Sequence, residues 1–126
     1  MKIITTDFCK IYMHDYYIIV MINEAEIVTA THNETLIKII ETDFKNKKFI
    51  YISHRINSYS IDPFAYQEAS KIKNLVGFSV VTKDHQSINN TEVEKLFTTK
   101  PFEVFNSIDK ATQWAESLIK SNIQIH

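Results

Sequence analysis

One stretch of the chain gathers side chains able to bind an anion or accept a phosphate: His54-Arg55-Ile56-Asn57-Ser58-Tyr59-Ser60-Ile61-Asp62-Pro63. Arg55 is the only arginine of the protein. Its planar guanidinium suits forked recognition of carboxylate or phosphate. Three hydroxyls follow at Ser58, Tyr59 and Ser60, and Asp62-Pro63 reads as a helix start, with Asp capping free N–H groups and Pro losing no hydrogen bond. The positive end of that helix dipole favours negative charge. Arg55, Asn57, Ser58, Tyr59, Ser60 and Asp62 therefore form a candidate partner-binding or anion-binding loop, with Ser58 and Ser60 as candidate phosphorylation sites. The same residues also suit a purely local role, since Ser and Asn before a helix bond to nearby backbone.

Other chemistries lack their parts. Rossmann and P-loop turns need several glycines so that backbone N–H groups can approach a phosphate, and Gly77 is the only one. The histidines at 14, 32, 54, 85 and 126 share no metal-ligand spacing and read as solvent-exposed polar residues. Cys9, the single cysteine, excludes an internal disulfide and reads as a buried structural residue. Ser53 or Ser58 with His54 or His85 lacks the glycine-flanked nucleophile turn. Met13, Met21, Tyr12, Tyr16 and Tyr17 lie in strand-like runs, where they pack. The expectation is a non-enzymatic domain with no catalytic residues, cofactor or metal.

Charge narrows the partners. The 126 residues carry 14 basic and 15 acidic side chains, net −1, without the basic excess of a nucleic-acid binder. Lys45, Lys47 and Lys48 read as a solvated turn. The longest apolar run, Tyr16 to Ile22, is too short to span a bilayer, and the N-terminal residues do not resemble a signal peptide. A cytoplasmic protein with a protein partner, and neither nucleic acid nor membrane span, is expected. The length suits one domain, placed at residues 1–121, with 122–126 as a frayed tail.

The elements that must position the loop follow from periodicity. Ile3 to Thr6 and Lys10 to His14 read together as a first strand, turning into a second at Tyr16 to Ile22. Phe49 to Ser53 and Phe78 to Val81 have the continuous apolar character of strands covered on both faces, and Phe102 to Phe105 alternates. Thr31 with Glu34 suggests a capping box opening a helix with Leu36, Ile37, Ile39, Ile40 and Phe44 on one face. His54 to Ile61 reads as polar loop. A second helix from Asp62 carries Ala65, Ala69 and Ile72 and is broken by Gly77. A third, capped by Asn89 and Glu92, buries Val93, Leu96 and Phe97. A fourth, capped by Ser107, carries Ala111, Trp114, Ala115, Leu118 and Ile119. The order β-β-α-β-α-β-α-β-α predicts an α/β domain with a five-stranded, mixed, mostly parallel sheet flanked by helices.

The chain resembles the SpoIIAA-like branch of the STAS domain family, related to bacterial anti-sigma-factor antagonists. Tyr17-Ile18-Ile19-Val20, Phe49-Ile50-Tyr51-Ile52 and Lys100-Pro101-Phe102-Glu103-Val104-Phe105, followed by Ile108-Asp109-Lys110-Ala111-Thr112-Gln113-Trp114-Ala115, carry the likeness. It implies a regulatory, protein-binding role without catalysis. It also implies a switch in which phosphorylation near Ser58-Tyr59-Ser60 abolishes partner binding. The topology and the convergence of polar groups make the Arg55–Asp62 loop, with the adjoining helix over residues 63–74, the expected contact surface. The alternative is a carrier of a small ligand, a lipid or a nucleotide, in a pocket between the sheet and the helix bearing Ala65 and Ala69.

Overall fold

Thr6 makes the first turn. Its hydroxyl accepts hydrogen bonds from the N–H groups of Phe8 (3.2 Å) and Cys9 (3.0 Å), a side chain standing in for a backbone turn. Strand β1 (Lys2–Thr5) therefore folds back antiparallel on β2 (Cys9–Met13), with Ile3 opposite Tyr12. The segment expected to form one strand forms two, and the sheet has six strands instead of five. The computed structural model describes residues 1–56, 60–61 and 64–124, with the backbone alone at 60–61, 85–87 and 123–124.

Strand β3 (Tyr17–Ile22) pairs antiparallel with β2. After the short β4 (Ile27–Val28) and helix α1 (Ala30–Asp43), strand β5 (Phe49–His54) lies parallel to β3. Two-residue strand β6 (Ser60–Ile61) pairs with β4, and α2 (Phe64–Ala69) leads to β7 (Leu75–Val81). Helix α3 (His85–Glu94) and a 3-10 turn (Lys95–Phe97) precede β8 (Phe102–Phe105), and α4 (Ile108–Gln124) closes the fold. The main sheet has the order β1-β2-β3-β5-β7-β8.

The sheet is covered on both faces, which is why its central strands are apolar without alternation. On one face Ile18, Val20, Phe49 and Phe78 meet Leu36 and Ile40 of α1 and Tyr66 of α2. On the other, Ile50, Ile52 and Val81 meet Ala111, Ala115 and Ile119 of α4. Ala111 and Ala115 are fully buried, so small side chains let the helix approach the strands closely. The expected stripe of α4 is thus its buried face, and Ser107 Oγ accepts from Lys110 N–H (3.3 Å) as its cap.

Several boundaries differ from expectation; helix α3 starts at His85, so Asn89 lies within it and not at its cap, and four others differ for local reasons. Helix α1 starts two residues earlier, because Thr29 is the cap and accepts from His32 N–H (3.3 Å). The ring of His32 stacks on Phe8 at 4.2 Å. Its Nδ1 lies 3.3 Å from Thr29 N and 3.0 Å from the Ile27 carbonyl, bonding the first when unprotonated and the second when protonated. Helix α2 ends at Ala69, so Gly77 lies inside β7 and breaks no helix. The stretch from His54 to Ile61 is not all loop, since β5 runs through His54 and the Ser60–Ile61 backbone is paired. Helix α4 continues to Gln124, past the expected fraying at 122, where Lys48 Nζ donates to Asn122 Oδ1 at 2.6 Å.

Ser79 of β7 sits level with Ile52 at 1% exposure, and its hydroxyl has no hydrogen-bond partner among the described residues. A buried, unbonded hydroxyl costs about 1–3 kcal/mol. Ser79→Ala is expected to raise the melting temperature by several degrees, measured by calorimetry. A fall would show that the hydroxyl is bonded.

Candidate functional site

Arg55 leaves the end of β5 with its N–H donating to the Val81 carbonyl at 2.9 Å. Its side chain turns inward. Nη1 donates to Glu94 Oε2 at 3.0 Å, and Nη2 donates to Glu94 Oε1 and, at 2.8 Å, to the Tyr66 hydroxyl. The arginine and glutamate side chains are only 6% and 3% exposed. The ring of Tyr66 packs edge-on against Phe78 at 5.2 Å and lies 5.5 Å from Phe102. The forked carboxylate recognition read from the arginine is therefore present, but the carboxylate it holds is the chain's own. One buried charge pair fastens the exit of β5, α2 and α3 together.

This pair explains the orientation of α3. Glu94 is drawn inward and Thr91 with it, both nearly inaccessible, while Val93 is 51% and Leu96 82% exposed. The expected buried face of Val93, Leu96 and Phe97 is largely the outer one, with only Phe97 half-buried. Desolvating a carboxylate requires a partner charge, and Arg55 supplies it. Phe64 of α2, 59% exposed, meets Phe97 edge-on at 5.0 Å. Neither Glu94 nor Tyr66 was singled out as belonging to the site. The available signal was the lone arginine, which needs a counter-charge once its strand is buried.

Of the other loop residues, Ser60 has its backbone paired with Ile27 in the β4–β6 ladder, in a strand before α2 and not at the first turn of the helix. Asn57, Ser58, Tyr59, Asp62 and Pro63 lie outside the described residues, so the expected anion loop, helix start and phosphorylation at Ser58 rest on sequence.

A cleft of about 700 Å³ opens beyond the carboxyl ends of β5, β7 and β8, lined by His54, Thr82, Lys83, Asn106 and Ser107 among others. Ligands favour this position in open α/β sheets. Two of its polar groups serve local structure: Thr82 Oγ1 accepts from Asp84 N–H (3.2 Å), and Asn106 Oδ1 accepts from Lys110 Nζ (3.2 Å). Burial pushes the pKa of His54 down, so folding favours the neutral ring. Stability owed to this group is present above the ordinary histidine range, about 6.5, and is lost as pH falls towards the lower folded value, because the unfolded chain binds the proton first. His14 is shifted down too, by burial first and then by the N-terminal charge, so it acts in the same direction. His54→Gln is expected to lose less melting temperature than the parent on acidification from neutral pH to about 5. Equal losses would remove His54 as a contributor.

Beneath α2 lies a cavity of about 30 Å³, lined by Ala65, Ala69, Tyr51, Tyr66, Asn33 and Ser53 with apolar neighbours. The pocket required by a carrier is in the expected place, but this volume suits about one or two waters. Cys9 is buried, its thiol 3.3 Å from Thr6 Oγ1, and burial pushes its pKa up, so the thiol stays protonated and inert. Among the described residues no three His, Cys, Asp or Glu side chains cluster as metal ligands, and no helix is long and apolar enough to cross a membrane.

A mixed six-stranded sheet with helices on both faces, entered by an antiparallel hairpin, defines an α/β domain of the SpoIIAA-like type. The solved structure of an uncharacterized protein of the DUF3478 family from Shewanella loihica PV-4, described as having a SpoIIAA-like fold, superimposes with a TM-score of 0.58 over 85% of this chain and 91% of that one. The two share 16% sequence identity, so the likeness is one of fold. No family model matches the chain, and no curated protein sequence does either.

Proposed function

We propose that the chain is a non-catalytic, cytoplasmic protein-interaction domain whose docking face is formed by α2, α3 and the 3-10 turn beside the Arg55–Asp62 loop. The observation that supports it most is the outward display of Leu96, Val93 and Phe64 on elements fastened from below by the Arg55–Glu94 pair. Exposed apolar groups set on a rigid base are what a docking surface needs. Because Val93 and Leu96 are exposed, Val93→Lys with Leu96→Lys is expected to leave the melting temperature within about 4 °C, surface changes being within about 0.5 kcal/mol each. The same variant is expected to lose partner proteins captured from the source cell's lysate. Undiminished capture would remove this face.

The regulatory part of the reading places a phosphate on Ser58 or Ser60. Added negative charge there would sit near the acidic and hydroxyl groups before α2 and alter docking by repulsion and desolvation. Tryptic cleavage after Arg55 and Lys71 isolates Ile56 to Lys71, and mass spectrometry of that peptide from native protein reads the modification directly. A phosphate would support the switch; an unmodified peptide in every growth state would end it.

The cavity lined by Ala65 and Ala69 keeps a carrier as the second reading. Its volume requires α2 to move off the sheet before a lipid or nucleotide could enter. Native mass spectrometry showing a co-purified small molecule of fixed mass, lost on Ala65→Phe, would favour the carrier.

A further inference from the structure

At the end of the molecule where β5 and β7 begin, a groove of about 860 Å³ runs between the last turn of α1 and the turn after α2. Lys38, Lys45, Lys71 and Lys73 line it, with Glu41 the one acidic lining residue. All four lysines are exposed. Lys71 reaches Glu68 at 3.2 Å, while Lys38, Lys45 and Lys73 form no side-chain hydrogen bond or ion pair among the described residues. The two walls are fixed to each other. Asn74 Nδ2 donates to the carbonyls of Phe44 and Lys47, the latter at 2.7 Å, and Phe49 N–H donates to the Asn74 carbonyl at 3.0 Å. Phe44 and Ile72 are buried beneath. The positive charge is thus displayed on a braced frame, although the chain as a whole carries net −1.

Lysines near a helix C-terminus complement its dipole, and that accounts for one or two of them. It does not account for Lys71 and Lys73, which come from the opposite wall. We infer that this groove receives a carboxylate-rich segment of a partner protein. A long polyanion fits less well, because the lysines are gathered in one short groove. The sole arginine is committed to Glu94, leaving no fork for phosphate. Among the described residues no exposed aromatic lines the groove, so bases would have no stacking surface there. Lysine charges on a short groove match a run of side-chain carboxylates. This inference rests on the reading of the chain as a protein-interaction domain and adds a second surface at the other end of the sheet from the Arg55 loop.

The test uses fluorescein-labelled hexaglutamate and the full chain, followed by fluorescence anisotropy at low ionic strength and at about 0.15 M salt, where the Debye length is about 8 Å. Expected are salt-sensitive binding and amide shifts confined to residues 38–48 and 71–74 in heteronuclear NMR. Lys38→Gln/Lys45→Gln/Lys73→Gln is expected to weaken binding about tenfold, each exposed charge contributing modestly, while Lys10→Gln/Lys110→Gln changes it less than about twofold. Absent binding, equal binding by the triple variant, or tighter binding of a twelve-residue oligothymidylate through the same lysines would each overturn the inference. Failure here, with capture still lost in Val93→Lys/Leu96→Lys, would leave the proposed function standing; undiminished capture by that variant, with hexaglutamate bound as expected, would remove the first face and leave this groove standing.

Discussion

Arg55→Ala is expected to lose about 3–5 kcal/mol of stability, because it strands the Glu94 carboxylate in a site from which water is excluded. The loss should appear as a fall of about 10–20 °C in melting temperature. Glu94→Leu should cost a similar amount by stranding the guanidinium. The double variant Arg55→Met/Glu94→Leu removes both charges and is expected to recover most of the loss, since buried ion pairs gain little over well-packed apolar groups. Tyr66→Phe, which deletes the acceptor of the 2.8 Å bond from Nη2, should cost about 1.5–3 kcal/mol. A double variant as unstable as either single would show that the pair is not what holds these elements. The same series reaches function. With Glu94 replaced by leucine, the inward turn of α3 no longer depends on a charge, so a stable double variant that also loses partner capture would tie the orientation of Leu96 to the ion pair.

Most of the frame was legible because it is local. The apolar runs at Tyr16 to Ile22, Phe49 to Ser53 and Phe78 to Val81 could be read as covered strands, and the Ala111, Ala115 and Ile119 stripe as a helix face, since burial on both sides leaves a continuous pattern. The docking elements were not legible for the opposite reason. Residue 94 is buried through a partner 39 positions away, and a helix that hides a glutamate and exposes a leucine inverts the pattern on which periodicity depends. Thr6 was missed as a turn because its effect comes from a side-chain hydroxyl standing in for backbone. The pairing of Ser60 with Ile27 joins two-residue strands, too short to leave a period. The lone arginine thus drew attention to Arg55 in the sequence, while the inward direction of its side chain is set by Glu94, a residue that no local pattern marks.

Gly77→Ala should be the second large effect, and its sign runs against propensity. In a strand interior alanine is ordinarily favoured over glycine by about 0.5–1 kcal/mol. Here a Cβ would stand 3.0 Å from the Pro101 carbonyl oxygen, 3.2 Å from Leu118 Cδ2 and 3.3 Å from Pro101 Cβ. The leucine methyl can swing away. The carbonyl cannot, because it accepts the Phe78 N–H at 2.8 Å and its segment is held further by Lys100, whose Nζ donates to the carbonyls of Ile72 (2.8 Å) and Leu75. Overpacking against a fixed wall costs about 1–3 kcal/mol, and the net expectation is destabilisation. Placing Gly77→Ala in a Leu118→Ala background separates the two contacts by chemical denaturation. If the methyl were the obstacle, the second substitution would make Gly77→Ala neutral or stabilising; if the carbonyl is, the penalty persists. Persistence is expected. The single glycine of the chain would then be explained by the close crossing of the Lys100–Pro101 segment over β7, where strand pairing, helix α4 and the entry to β8 meet.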